Sequence, residues 1–196
     1  MNRIPYPFEL VTERLVIRSP VTADASQLMG AIGETLHTLR SWMPWADHIP
    51  TLAEAEENCR KAEESFREGS DNRLHLFLRE SLFFVGGSGL HRIDWSVPKV
   101  EIGYWIRTSC SGKGYITEAV REITRYALYE LQAHRVEIRM SSRNAKSRRV
   151  PERLGFTFEG TLRNDARHVD GSLRNTCVYA KIREIDEMSL QISSFL

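Results

Sequence analysis

Apolar positions along this chain recur with short periods that keep changing type. Leu15-Val16-Ile17 is a compact β-rich run and predicts a first strand. A polar break follows, where Thr22 or Asp24 is placed to cap a helix. Residues 37–50 carry Trp42, Pro44, Trp45 and Pro50, which predicts irregular structure around short helical turns. Thr51-Leu52-Ala53-Glu54 is a capping box, and Ala55, Cys59, Ala62 and Phe66 behind it fall on one helical face that ends near Gly69. Residues 74–78 and 82–90, parted by Glu80-Ser81, predict a hairpin, and residues 100–106 another strand. Val120, Ile123, Ala127, Leu128 and Leu131 give a helix over residues 117–131. Residues 135–140 alternate as a half-buried strand, 145–154 form a short helix, and 156–159 and 176–182 form late strands.

This order is a mixed α+β plan with a parallel step around the long helix, and such a crossover is right-handed. At 196 residues, with no internal repeat and no Pro/Gly/Ser-rich linker, the chain reads as one domain over 1–196. Its 41% hydrophobic and 27% charged residues exclude a disordered or collagen-like chain. The charge changes the picture further: 27 Lys plus Arg against 26 Asp plus Glu leave +1, too little for a general nucleic-acid coat. The longest apolar run, residues 82–85, is too short to cross a bilayer, and the first ten residues, with Pro5, Pro7 and Glu9, show no apolar signal core. The expectation is a cytoplasmic protein without membrane association. Cys59, Cys110 and Cys177 fit neither a zinc site nor a disulfide framework and read as reduced thiols; no metal is expected.

Chemistry concentrates where the strand Glu101-Ile102-Gly103-Tyr104-Trp105-Ile106 leads to Ser111-Gly112-Lys113-Gly114-Tyr115-Ile116-Thr117. A glycine-rich turn opening a helix presents unpaired amides, and the macrodipole there favours an anion. Gly112 and Gly114 let the backbone approach a phosphate, and Lys113 adds positive charge. The P-loop spacing is missing, and the dinucleotide fingerprint fails because Thr117 stands where its third glycine belongs. By itself such a turn either seats an anion or merely starts a helix.

Taken together, this strand and turn, Asn144-Ala145-Lys146-Ser147, and Leu154-Gly155-Phe156 resemble the Gcn5-related N-acetyltransferases. More narrowly they resemble the branch that acetylates ribosomal-protein N-termini, through Thr12-Glu13-Arg14-Leu15-Val16-Ile17-Arg18, Glu159-Gly160-Thr161-Leu162-Arg163 and Val178-Tyr179-Ala180. The resemblance spans about residues 10–182. It implies a central, mostly antiparallel sheet with a splayed parallel strand pair, flanking helices, and acetyl-CoA as donor. The pyrophosphate would lie on the amides from Ser111, Gly112, Lys113, Gly114, Tyr115, Ile116 and Thr117. The pantetheine arm would pair with Tyr104, Trp105, Ile106 and Arg107, and Asn144 and Ser147 would face the cofactor's far side. Ser111 replaces the family's usual Gln or Arg, and Ile116 its usual small residue.

Acetyl transfer needs a neutral amine and a protonated leaving thiol. An α-amine, with a pKa near ~8, is roughly a tenth neutral at pH 7, whereas lysine at ~10.4 is almost wholly charged. An N-terminal acetyltransferase therefore needs only a modest base. Many family members protonate the thiol from a Tyr where this chain has Pro151, so the resemblance points to Ser147 instead. Glu101 is the candidate base, against the alternative of a salt-bridged strand residue; Asp165, His91 and Asp94 are weaker candidates. Trp42 and Trp45 either wall the acceptor cleft or plug the core beneath their loop. The dense basic stretch containing Arg135, Arg139, Arg143, Lys146, Arg148, Arg149 and Arg153 fits a seat for the coenzyme's 3′-phosphate better than a nucleic-acid face. The leading expectation is an N-acetyltransferase acting on the N-terminal α-amine of a protein, with the resemblance pointing to a ribosomal one, as monomer or homodimer. A small amine (polyamine, amino-acid conjugate or antibiotic) is the alternative acceptor. A non-catalytic acyl-CoA sensor is the alternative of another class.

Overall fold

The computed structural model describes residues 4–183. The elements in chain order are β1 (Glu9–Val11), β2 (Leu15–Arg18), α1 (Ala25–Leu39), α2 (Leu52–Glu68), β3 (Asn72–Leu78), β4 (Phe84–Asp94), β5 (Lys99–Ile106), α3 (Tyr115–Arg125), β6 (Arg135–Ser141), α4 (Ala145–Arg153), β7 (Thr157–Arg167) and β8 (Leu173–Ile182). All eight strands join one sheet in the order β1-β2-β3-β4-β5-β6-β8-β7. Every neighbouring pair is antiparallel except β5 with β6. That parallel pair joins only Lys99, Val100 and Glu101 to Arg135, Val136 and Glu137; beyond them β5 runs on to Ile106 and β6 to Ser141 unpaired with each other. The mixed α+β sheet with a splayed parallel pair is thus present.

Two apolar layers cover the two sheet faces. Val100 and Ile102 of β5 and Val136 and Ile138 of β6 pack with Ala119, Val120 and Ile123 of α3. On the opposite face Phe77 and Phe84 pack with Leu28 and Ile32 of α1 and Ala55 and Cys59 of α2. The α2 capping box forms as its spacing requires: the Glu54 amide donates to the Thr51 hydroxyl at 3.3 Å, and the Thr51 amide to the Glu54 carboxylate at 2.8 Å. Ala55, Cys59, Ala62 and Phe66 are its buried stripe, and Gly69 closes it with φ +76°.

Elsewhere tertiary contacts override local signals. Thr22–Asp24 is a 3-10 turn, and neither Thr22 nor Asp24 caps α1 with its side chain. The Asp24 carboxylate instead accepts from Arg18 (2.5 and 3.0 Å), His75 Nδ1 (2.7 Å) and the Val21 amide (3.1 Å). The long helix starts at Tyr115 and finishes in a π-turn at Tyr126–Glu130, which buries Tyr126, Ala127 and Leu128. β1 has too few residues to show a period, and β7 extends well past residue 159, with most of its side chains exposed. Among the described residues, no helix is long and apolar enough to cross a membrane.

Candidate active site

The glycine turn rests on two left-handed backbone positions. Gly112 and Gly114 have φ of +79° and +84°, and a Cβ on Gly112 would meet nothing within 4 Å. These left-handed conformations need glycine. No side chain caps Gly114, so the first-turn amides of α3 face outward without an intrahelical acceptor. The Ile116 side chain is buried in the core, so its bulk lies away from those amides. Ser111, Gly112 and Lys113 are exposed.

The Thr12-Glu13-Arg14 segment braces this turn. Glu118, in the first turn of α3, accepts from the Thr12 hydroxyl (2.7 Å), the Arg14 amide (2.9 Å) and the Arg14 guanidinium (2.6 Å). Arg14 also donates to the Lys113 carbonyl at 3.1 Å and covers the Tyr115 ring. Burial would push Glu118 up, but these hydrogen bonds hold its carboxyl below the usual range. Beside the turn an open groove is bordered by Gly114, Thr117, Arg121 and Arg153.

Between the splayed strands, three residues form one unit. Pro151 lies inside α4 and has no N–H to give the Ser147 carbonyl, four residues earlier. That carbonyl accepts from the Tyr104 hydroxyl at 2.8 Å, and the Ser147 hydroxyl donates to Tyr104 Oη at 3.1 Å. Burial pushes the Tyr104 hydroxyl up, so it stays protonated and able to donate. Asn144 caps α4 by accepting from the Ser147 amide at 3.1 Å. Ser147, Tyr104 and Asn144 are therefore brought together at the mouth of the splay.

On the other sheet face lies a cavity of about 670 Å³. Its floor is Gly87 and Ser88 of β4 and Gly103, Tyr104 and Trp105 of β5. Glycine is required there because rings lie flat across the strands. A Cβ on Gly87 would stand 2.5 Å from Trp105 Nε1, and one on Gly89 2.6 Å from His91 Nε2. The roof is Leu28 and Ile32 of α1, Ala55 and Asn58 of α2, and Met43, Trp45, Asp47 and His48 between them. Trp45 meets Trp105 edge-on at 6.0 Å between ring centres. Trp42 is half-buried and does not line the cavity.

Glu101 lies beside its register partner Glu137 and 3.2 Å from Arg92, off the cavity surface. Burial raises its carboxyl despite Arg92 and Arg139. Arg107 turns away from the splay: its guanidinium binds Glu34 at 2.5 Å and its amide donates to the Val85 carbonyl at 2.8 Å. The basic stretch divides. Arg135 pairs with Glu137 and Glu159, Arg139 with Asp165 and Arg148 with Glu152, whereas Lys146, Arg149 and Arg153 form no ion pair among the described residues. Asp94 binds Ser96 in the β4–β5 turn and is remote from the cavity lining. The sequence reading missed the cavity's ionisable lining of Asp47, His48, Glu54 and Asp71, which no motif marks. No cluster able to hold a metal occurs among the described residues.

The chain and its fold have counterparts among known proteins. A family described as an acetyltransferase (GNAT) domain matches residues 14–157. The Bacillus subtilis (strain 168) protein named "Putative ribosomal N-acetyltransferase YdaF" is 33% identical over 173 residues, covering 88% of this chain and 93% of its own length. The [ribosomal protein uS5]-alanine N-acetyltransferase of Escherichia coli (strain K12) is 28% identical over 176 residues, covering 85% and 86%. The microcin C7 self-immunity acetyltransferase MccE, solved with acetyl-CoA and AMP, superposes with a TM-score of 0.80 over 87% of this chain and 93% of that one; at 20% identity it shows the shared fold. The chain belongs to the Gcn5-related N-acetyltransferase family.

Proposed function

We propose that this N-acetyltransferase moves an acetyl group from acetyl-CoA to the N-terminal α-amine of a protein, with a ribosomal protein as the acceptor class. The observation that carries this reading is that the cavity's acids are engaged by its own side chains. Asp47 is bonded to His48 at 2.7 Å, Glu54 lies 3.5 Å from the same His48, and Asp71 sits against His91 and Arg73 at 3.0 and 2.9 Å. Asp47 and Glu54 share His48 and Asp71 is engaged by His91 and Arg73, so every one of these acids is already held by a neighbouring side chain rather than left free for a polycation. The relatives named as ribosomal N-acetyltransferases support the same acceptor.

In this reading the amides from Ser111 to Thr117 hold the pyrophosphate, with Gly112, Lys113, Gly114, Tyr115 and Ile116 between them. The pantetheine arm lies along β5 at Tyr104, Trp105, Ile106 and the Arg107 backbone. Arg121, Arg153, Lys146 and Arg149 supply cations for the 3′-phosphate. No metal is needed. The acceptor's first residues enter beneath Trp45, with Trp42 supporting that loop from behind, and the amine reaches the thioester across Gly103. Nitrogen attacks the carbonyl carbon, the C–S bond breaks, and one proton leaves the amine while another reaches the sulfur. Ser147 Oγ delivers the second and is then reprotonated from solvent. Glu101 contributes a carboxylate at the base end of β5.

The test is acceptor competition followed by mass spectrometry. A peptide with a free Ala or Ser N-terminus should gain one acetyl group, and the same peptide blocked at its α-amine but carrying a lysine should gain none. Preferred acetylation of spermidine or of the lysine would overturn the proposal.

A further inference from the structure

The resemblance to the family supplied Glu101 as the acid–base group, but the cavity floor presents a different one. His91 lies on β4, directly opposite Glu101 on β5, with its side chain on the cavity face. Its ring spans Gly89 and Gly103: Cβ atoms built there would stand 2.6 and 3.4 Å from Nε2. Nδ1 is 3.0 Å from Asp71 Oδ1, a residue immediately before β3 that also lines the cavity. The contact with His91 holds the Asp71 carboxyl below its usual range, which is the behaviour of a carboxylate fixed on an imidazole. Asp71 is held in turn by Arg73 at 2.9 Å. The absence of side chains at Gly89 and Gly103 gives the ring room to lie there, and the His91 side chain stays 33% exposed where it lines the cavity.

We infer that His91, oriented by Asp71, is the group that takes the proton from the acceptor amine. With Nδ1 protonated and donated to Asp71, Nε2 carries the lone pair. The inference rests on the acetyltransferase reading given above and names the residue that completes it. As nitrogen bonds to the thioester carbon, its proton passes to Nε2. The carbonyl reforms, the C–S bond breaks and the sulfur leaves with a proton from Ser147. The histidine then loses its proton to solvent through the open side of the cavity, and the serine is reprotonated. Asp71 is a positioning residue, and Glu101, lying off the cavity surface, acts on the imidazole through its charge.

Other charges surround the ring. From β3 come Arg73 and His75, from β4 Arg92, and from β5 Glu101, itself influenced by Arg139 and Glu137 of β6. Across the cavity, Asp47 and His48 lie in the loop before α2, and Glu54 on α2.

The experiment is the pH profile of kcat/KM for the wild-type enzyme, His91→Gln and Asp71→Asn with a free-α-amine peptide. CoA affinity and melting temperature are measured alongside. His91→Gln should lower kcat about 100-fold or more, within the range of general-base contributions, while CoA affinity stays within twofold. Its profile should lose the acidic limb of the wild type. Asp71→Asn should lower kcat more than KM rises. His91→Ala should regain activity with added imidazole, a response that a merely structural residue does not give. Near-wild-type turnover in His91→Gln with its acidic limb intact would overturn the inference while leaving the acetyltransferase reading standing. A wild-type protein that acetylates no amine would overturn both, and would show this before any variant is compared.

Discussion

Single residues here do work that their type alone does not announce. Pro151 reads in the sequence as a helix fault, yet the carbonyl it leaves unpaired is the one that receives the Tyr104 hydroxyl. The proline therefore helps fix Ser147 beside Tyr104. Ser147→Ala should lower kcat about 100-fold, the low end for losing a general acid, with CoA affinity unchanged by calorimetry. Unchanged turnover would remove Ser147 from the chemistry, and loss of both turnover and affinity would make it a cofactor ligand only. Gly112 and Gly114 are legible from sequence because their requirement is local. Gly114→Ala places a side chain at φ +84° and should cost about 1 kcal/mol in chemical denaturation, with weaker CoA binding besides. His91 and Asp71 were not legible as a pair. They lie 20 residues apart, Asp71 just before β3 and His91 on β4, and only the antiparallel register of those strands brings them together.

Elements follow the same division between local and remote causes. The α2 capping box and its buried stripe follow from neighbouring residues and form as read. Helix α1 does not take the side-chain cap that its sequence offers, because Asp24 is claimed by Arg18 and His75. Burial pushes that carboxyl up, and the hydrogen bonds from His75 and Arg18 outweigh it and leave it lowered. Asp24→Ala strands Arg18 and the buried His75 and should destabilise the fold by about 3 kcal/mol, measured by urea unfolding. A cost below about 1 kcal/mol would mean the cluster is dispensable. At the end of β5, Glu34 of α1 holds Arg107 and the Ser109 amide, and the Arg107 guanidinium brings its carboxyl down to about 2. A depressed folded pKa stabilises fully above the unfolded value and loses that contribution as pH falls toward the folded one. The melting-temperature deficit of Glu34→Gln should thus be largest near neutral pH and shrink as pH falls from about 4.5 toward 2. A deficit that does not change with pH would show that the ion pair is not its source.

At the scale of the whole molecule, one break in pairing organises everything else. β5 and β6 share three paired positions and then separate; α3 opens from the glycine turn at one side and α4 closes over the gap at the other. The parallel step was legible because a helix joins two strand patterns, whereas the extent of pairing depends on packing and leaves no mark in sequence. The cavity lies over the opposite face, lined from α1, α2, the loop between them and three strands. No single stretch of sequence contains it, which is why Trp45 was found and the ionisable residues around it were missed. Gly103 and Tyr104 border both the splay and the cavity, so in the proposed reaction an amine and a thioester would approach the same strand from different sides.

The measurement that bears most directly on this arrangement is a calorimetric titration of the purified protein with acetyl-CoA, with dephospho-CoA compared under the same conditions. Saturable micromolar binding is predicted, weaker for dephospho-CoA because Lys146, Arg149 and Arg153 lose their phosphate. At a hundredfold excess over the dissociation constant, acetyl-CoA should stabilise the fold by ~2.7 kcal/mol. No binding of either ligand would contradict the account at its centre, since the glycine turn and the splayed strands would then hold no coenzyme.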